Sequence, residues 1–245
     1  MRSLRQTALI TLIFVSSVVA QDPLKVAPEA YKLEFENHWV KVVRVHYGAR
    51  VRIPAHDHPR WGTAYVYLND GPEVIFKHVG SDLGAITRPP TKAGGFRLYK
   101  GRREVHEVEN TGDTPSDFLR VEFKTKPAGE TTLRGRYYRE FYLSTENYQK
   151  VQFENEQIRI TRIICAASQT VKLASDSGRP SLFVALTPGS LTVIDLNGAS
   201  TKLDVQPGQT KWFGSEQPQS LRNLLASNAE FLRFDFKTPP RRTRR

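Results

Sequence analysis

The chain has 245 residues, 39% hydrophobic and 10% aromatic, enough apolar matter for one large or two ordinary cores. This composition excludes a disordered polypeptide. The formal charge of +11 falls to +9 without Arg2 and Arg5, and to +5 without the four arginines of the closing "TPPRRTRR". What remains is an ordinary surface charge, so no nucleic-acid partner is expected.

The opening "MRSLRQTALITLIFVSSVVAQDP" has a charged head at Arg2 and Arg5 and an apolar or small run from Thr7 to Val19. Val18 and Ala20 then supply the small residues a signal peptidase requires. The run is short of the roughly 20 residues that span a bilayer. Residues 1–20 therefore read as a cleaved signal peptide, with the periplasm or the cell exterior as destination. Gln21 stands where a lipoprotein carries cysteine, which speaks against a lipid anchor. Cys165 is the single cysteine, so no internal disulfide can form, and it reads as a buried small hydrophobe. No asparagine lies in an Asn-x-Ser/Thr acceptor, which favours a bacterial envelope.

From residue 33 onwards the chain is written twice. "LEFENHWVKVVRV" (33–45) matches "VQFENEQIRITRI" (151–163), and "FLRVEFKTKP" (118–127) matches "FLRFDFKTPP" (231–240). Between these anchors Gly101 falls on Gly214, Asn110 on Asn223 and Tyr99 on Trp212. Two anchors in one order indicate duplication. Arg44 and Arg162 recur in both halves and read as structural ion-pair residues. Each half is a series of short β-type runs, such as "VKVVRV", "TAYVYL" and "FRLY", then "IRITRII", "SLFVAL" and "LTVIDL". Turn signals such as "NDG", "TPG" and "LNG" bound them, and the predicted class is all-β, two tandem barrels or sandwiches. Only "TLRGRYYREFYL" carries a trace of a helical turn. It lies in the linker, residues 128–150, where Tyr137, Tyr138, Phe141 and Tyr142 read as a clasp docking one half on the other.

"PAHDHPRWGTAYVYLNDG" sets His56 and His58 one residue apart, and "GRREVHEVENTGDTP" adds His106 and Asn110. Histidine-x-histidine on an early strand, an "NDG" turn, a glycine turn and His-x-x-x-Asn together resemble the cupin superfamily. The resemblance spans residues 33–237, as a bicupin. It implies two jelly-roll-like barrels (33–127 and 151–237, with a basic tail at 238–245) and any metal inside a barrel. Strand residues two apart share a face, so His56 and His58 point together, and the cupin pattern brings His106 to meet them. Three imidazoles so placed bind a divalent metal such as iron, zinc, nickel or copper.

The chain departs from the family pattern after His58, where Gly62, Thr63 or Ala64 stands in place of a glutamate. A site of neutral histidines leaves the dication uncompensated and favours a small anionic ligand. On the repeat, His56, His58 and His106 correspond to Ser175, Ser177 and Gln219, so the second half has lost all three together. His46 and His78 are spare candidates for a fourth ligand, though each reads first as an ordinary strand histidine. Glu122 alternates with Leu119, Val121 and Phe123 and faces away from their apolar side, while Trp61, Tyr65 and Tyr67 read as core aromatics. Two readings follow. One is an exported metal-binding bicupin, such as an oxygenase, isomerase or lyase. The other is a non-catalytic, metal-free binding or envelope protein. Pairing of two copies through exposed sheets is expected of the family, and weak contact of the basic tail with an envelope surface is expected from its charge.

Overall fold

The computed structural model describes residues 21–139, 145–174 and 178–241. Residues 1–20, Phe141 and Tyr142 of the linker, Ser175, Ser177 and the tail from Arg242 onwards lie outside the described residues. A four-residue helix α1 (Pro23–Val26), capped by Asp22, precedes the first strand.

The first half contributes β1 (Tyr31–Glu36), β2 (Val40–Tyr47), β3 (Arg52–His58), β4 (Gly62–Tyr67), β5 (Val74–His78), β6 (Ala85–Arg88), β7 (Phe96–Tyr99), β8 (Glu104–Asn110) and β9 (Ser116–Phe123). The linker adds β10 (Arg134–Tyr137). The second half contributes β11 (Tyr148–Glu154), β12 (Ile158–Cys165), β13 (Thr170–Lys172), β14 (Ser181–Ala185), β15 (Gly189–Asp195), β16 (Ser200–Val205), β17 (Thr210–Phe213), β18 (Pro218–Asn223) and β19 (Ala229–Phe236). The sheets order as β1-β2-β9-β4-β7-β10 and β3-β8-β5-β6, then β11-β12-β19-β14-β17 and β13-β18-β15-β16. Strand for strand the halves agree, except that β10 extends only the first. The helical trace in the linker is corrected: Arg134–Tyr137 pairs antiparallel with β7, because an open sheet edge supplies backbone partners that a short helix would lack.

The large sheets of the two halves pack face to face. Val42, Leu119, Val121 and Phe123 meet Ile158, Ile160, Leu232 and Phe234 in one buried cluster. This explains why "VKVVRV" carries valines on both faces and why "FLRVEF" turns Leu119, Val121 and Phe123 to the other half. Val40 and Val42 face the other half while Val43 and Val45 face their own barrel interior. Tyr137 completes the junction, stacked on Phe96 at 4.6 Å between centroids and edge-on to Phe153 at 6.1 Å. The clasp expected of the linker is therefore seen at Tyr137.

The repeated residues do repeated jobs. Asn110 donates to the carbonyls of Tyr47, Gly48 and Thr114, and Asn223 donates to those of Cys165, Ala166 and Ser227. Arg44 pairs with Glu34 and reaches the Gly208 carbonyl, while Arg162 pairs with Glu230 and reaches the Gly94 carbonyl. Both arginines are structural, as expected. Cys165 is fully buried, its thiol donating to the Leu221 carbonyl.

Candidate metal centre

Strand β3 reaches the site through a bulge. The ladder to β8 is regular at Ile53, opposite Val108, then shifts so that His56 stands opposite His106 and His58 opposite Glu104. The extra residue turns both histidines inward. Their rings converge on His106, with centroids 4.8 Å apart for His56–His58, 4.8 Å for His56–His106 and 5.0 Å for His58–His106. All three are buried, and one ligating atom from each lies within 4.8 Å of the others. His56 and His58, paired by their spacing, and His106, implied by the cupin resemblance, are thus brought together.

Their protonation follows from burial. Desolvation lowers His56 to about 4 and His106 to about 2, and holds His58 well below the ordinary imidazole value. All three are neutral at pH 7 and present lone pairs. His56 donates from Nδ1 to the Pro54 carbonyl at 2.8 Å, so its lone pair sits on Nε2, where it accepts from the Tyr31 hydroxyl at 2.8 Å. The ring nitrogens of His58 and His106 are different: all four are buried without a hydrogen-bond partner. An unsatisfied buried polar atom costs about 1–3 kcal/mol. One nitrogen of each of these two neutral rings carries a lone pair that no protein donor uses, and the donor set fits a divalent metal.

A carboxylate stands nearby after all. Glu104, two residues before His106 on the same strand face, puts Oε2 at 3.9 Å from His106 Nδ1 and 3.7 Å from His78 Nε2. His78, Glu104 and His106 form a second group able to hold a metal, sharing His106 with the first. Burial raises the Glu104 pKa, but hydrogen bonds from Arg102 and Tyr99 outweigh it and keep the carboxyl ionised. Its sequence signal is the two-residue spacing from His106, whereas the family pattern points to the stretch after His58. His78, one of the spare candidates, belongs to this group. His46 does not, since it is largely exposed and paired with Asp117.

Glu122 does face away from Leu119, Val121 and Phe123, but away from them is the barrel interior. There it is 3% exposed and paired with buried Arg120 at 3.0 Å. Tyr65 and Tyr67, read as core aromatics, line a cavity of about 50 Å³ on the His106 side of the cluster. Trp61 lines a wider opening of about 430 Å³ that reaches His58.

The second barrel corrects part of the internal comparison. Leu173 donates its amide to the Gln219 carbonyl, continuing the β13–β18 ladder, so Leu173 holds the place opposite Gln219 that His56 holds opposite His106. β13 lacks the bulge of β3, which accounts for the offset. Gln219 itself is exposed, because a register shift in the β15–β18 pair turns it outward. The interior there is filled by Val171, Leu173, Leu191 and Leu221.

No protein-family description and no curated protein matches the sequence. Solved structures do match the fold. Oxalate decarboxylase from Lactobacillus farciminis, as a formate complex, has a TM-score of 0.58 at 9% identity, over 85% of this chain and 80% of that one. Oxalate decarboxylase from Bacillus subtilis, studied for its Mn(II) centres, has 0.55 at 10%, over 87% and 77%. A variant of salicylate 1,2-dioxygenase from Pseudoaminobacter salicylatoxidans has 0.53 at 14%, over 81% and 72%. The likeness shows the fold: all-β, with two tandem jelly-roll-like domains. Its first barrel carries a three-histidine group that could hold a metal.

Proposed function

We propose that the protein is an exported bicupin that binds one divalent metal ion through His56, His58 and His106 and acts on a small carboxylate. The observation that carries this reading is the set of four partnerless buried nitrogens on His58 and His106. When bound, such an ion supplies Lewis acidity and open coordination positions. The chain supplies the rest. Burial keeps the imidazoles neutral, and Tyr31 must release His56 Nε2 before that lone pair can serve a metal. Glu104, tied to Arg102 and Tyr99, is the carboxylate beside His106, and Arg120 neutralises the buried Glu122.

Three neutral ligands leave a dication's charge open to an anion. The neighbours agree in kind, being solved with formate in one case and with gentisate, also a carboxylate, in another. The reading of export rests on residues 1–20. Metal analysis of the purified chain tests the centre. Near-stoichiometric metal is expected in the wild type, with at least a tenfold loss in His56→Ala and in His106→Ala. A metal-free wild type after growth in metal-supplemented medium would overturn the reading in favour of a barrel that binds its ligand without metal.

A further inference from the structure

Four side chains stand abreast across the first sheet. The ladders place Arg120 opposite Tyr65, Tyr65 opposite Arg97, and Arg97 opposite Arg136. Directly opposed residues share a face, and like charges so placed are destabilising. The guanidinium groups of Arg97 and Arg120 lie 4.2 and 5.2 Å from the Tyr65 ring centroid. Arg120 is neutralised by Glu122. Among the described residues, no ion pair with a carboxylate engages Arg97 or Arg136; Arg97 rests on the Tyr65 and Tyr99 rings and Arg136 is exposed.

Arg88 arrives at the same place from the other sheet. It lines the small cavity against His106 together with Arg97, and its Nε is buried without a partner. The same two arginines also line an outer groove of about 620 Å³, where Lys100, Arg134 and Arg136 join them and no acidic residue does. A path lined by cations thus runs from the surface to the cavity beside His106, where, among the described residues, the ionised Glu104 is the one carboxylate of the lining.

The second half shows which of these groups are scaffold. Arg120 and Glu122 recur as the buried pair Arg233 and Asp235. Arg88 does not recur: it faces Val74, which faces Asn110, and the corresponding chain of partners from Asn223 through Leu191 ends on Leu203. Leu203 packs against the apolar core. Arg136 has no counterpart either, since its strand is the one the second sheet lacks. Arg88 therefore differs between the halves together with the histidines.

We propose that Arg88 and Arg97 form the carboxylate-binding end of the cavity beside His106, and that Arg136 belongs to the cationic entrance leading to it. The part of the ligand inside the barrel is a short carboxylate, since about 50 Å³ admits only a few heavy atoms. This deepens the proposed function, but the recognition of the anion is separable from the metal. The probes are malonate and inorganic phosphate, titrated calorimetrically into the full chain before and after chelation. Malonate binding is expected in both states and phosphate binding at least tenfold weaker.

Arg88→Leu, which installs the residue of the second half, should weaken malonate at least tenfold while circular dichroism and metal content stay unchanged. Arg136→Gln should slow malonate association at least threefold at low salt, with dissociation unaltered. Malonate affinity within twofold of wild type in Arg88→Leu, or phosphate bound as tightly as malonate, would overturn the assignment. An unchanged association rate in Arg136→Gln overturns the entrance. If the wild type holds no metal yet Arg88→Leu still loses malonate, the metal reading fails and this inference stands.

Discussion

At the scale of single residues, the histidine cluster is a compromise between burial and function. An imidazole in the unfolded chain titrates near 6.5, whereas burial holds His56 at about 4 and His106 at about 2. The unfolded state therefore binds more protons through this window. The stabilising contribution of the buried neutral rings is fully present above about pH 7.5 and is lost as the pH falls through 6.5 towards 4. At pH 5 the loss is on the order of 1–2 kcal/mol per imidazole. Thermal unfolding of the chelated protein at pH 7.5 and pH 5 measures it. The midpoint of the wild type should drop by several degrees more than that of His106→Gln, and equal drops would contradict the burial argument. His56 and His58 were legible as a pair because a period of two is a local property of a strand, and His106 joined them through the resemblance to the cupin pattern. Glu104 obeys the same rule, yet its relevance depended on where Tyr99, Arg102 and His78 come to lie, and these belong to other strands or turns.

At the scale of elements, the repeat predicts strands well and roles unevenly. Asn110 and Asn223 hold the same three-carbonyl turn, and Lys124 and Lys237 each bind the acid and the Asn carbonyl of the strand beside them. Gly101 and Gly214 look equally matched in sequence but are not. Gly101 has φ of +76°, and a Cβ there would lie 2.0 Å from the Trp61 carbonyl oxygen. Gly214 lies outside the left-handed region and a Cβ would meet nothing within 4 Å. Gly101→Ala should destabilise by about 2–4 kcal/mol, since backbone must move, whereas Gly214→Ala should lie within about 0.5 kcal/mol of wild type. Denaturant unfolding of the two variants settles the matter; similar values for both would refute it. Bulges are the other element-scale feature that escaped the sequence. The bulge in β3 aims His56 and His58, and the register shift at β18 turns Gln219 out; Pro54 and Pro218, which lack a ladder amide, stand in these two stretches but do not say which side chain is re-aimed.

At the scale of the whole molecule, the two barrels share one core. Phe123 and Phe234, from opposite halves, lie 6.2 Å apart in it, and Phe236 adds a second ring at 6.1 Å from Phe123. Neither half buries that face alone, so unfolding should be a single cooperative transition. Phe234→Ala, far from the histidines, should cost about 3–5 kcal/mol and destabilise the first barrel as much as the second. The check is to follow tryptophan fluorescence and far-ultraviolet circular dichroism together. Two separated transitions in the wild type, or a Phe234→Ala variant that unfolds the second half alone, would show the halves to be independent.

The sequence by itself determined the all-β class, the duplication and the His56–His58 pair, because strand periodicity and repeated motifs are written in consecutive residues; His106 was added by the resemblance of its motif to the cupin pattern. Only the tertiary structure decided what surrounds those histidines. Glu104, His78 and Arg88 come to the cavity from separate strands, and Leu173 takes the place of His56 in the second barrel through a difference in register. Which side chains converge is fixed by ladder register and sheet packing, and these depend on the whole chain at once.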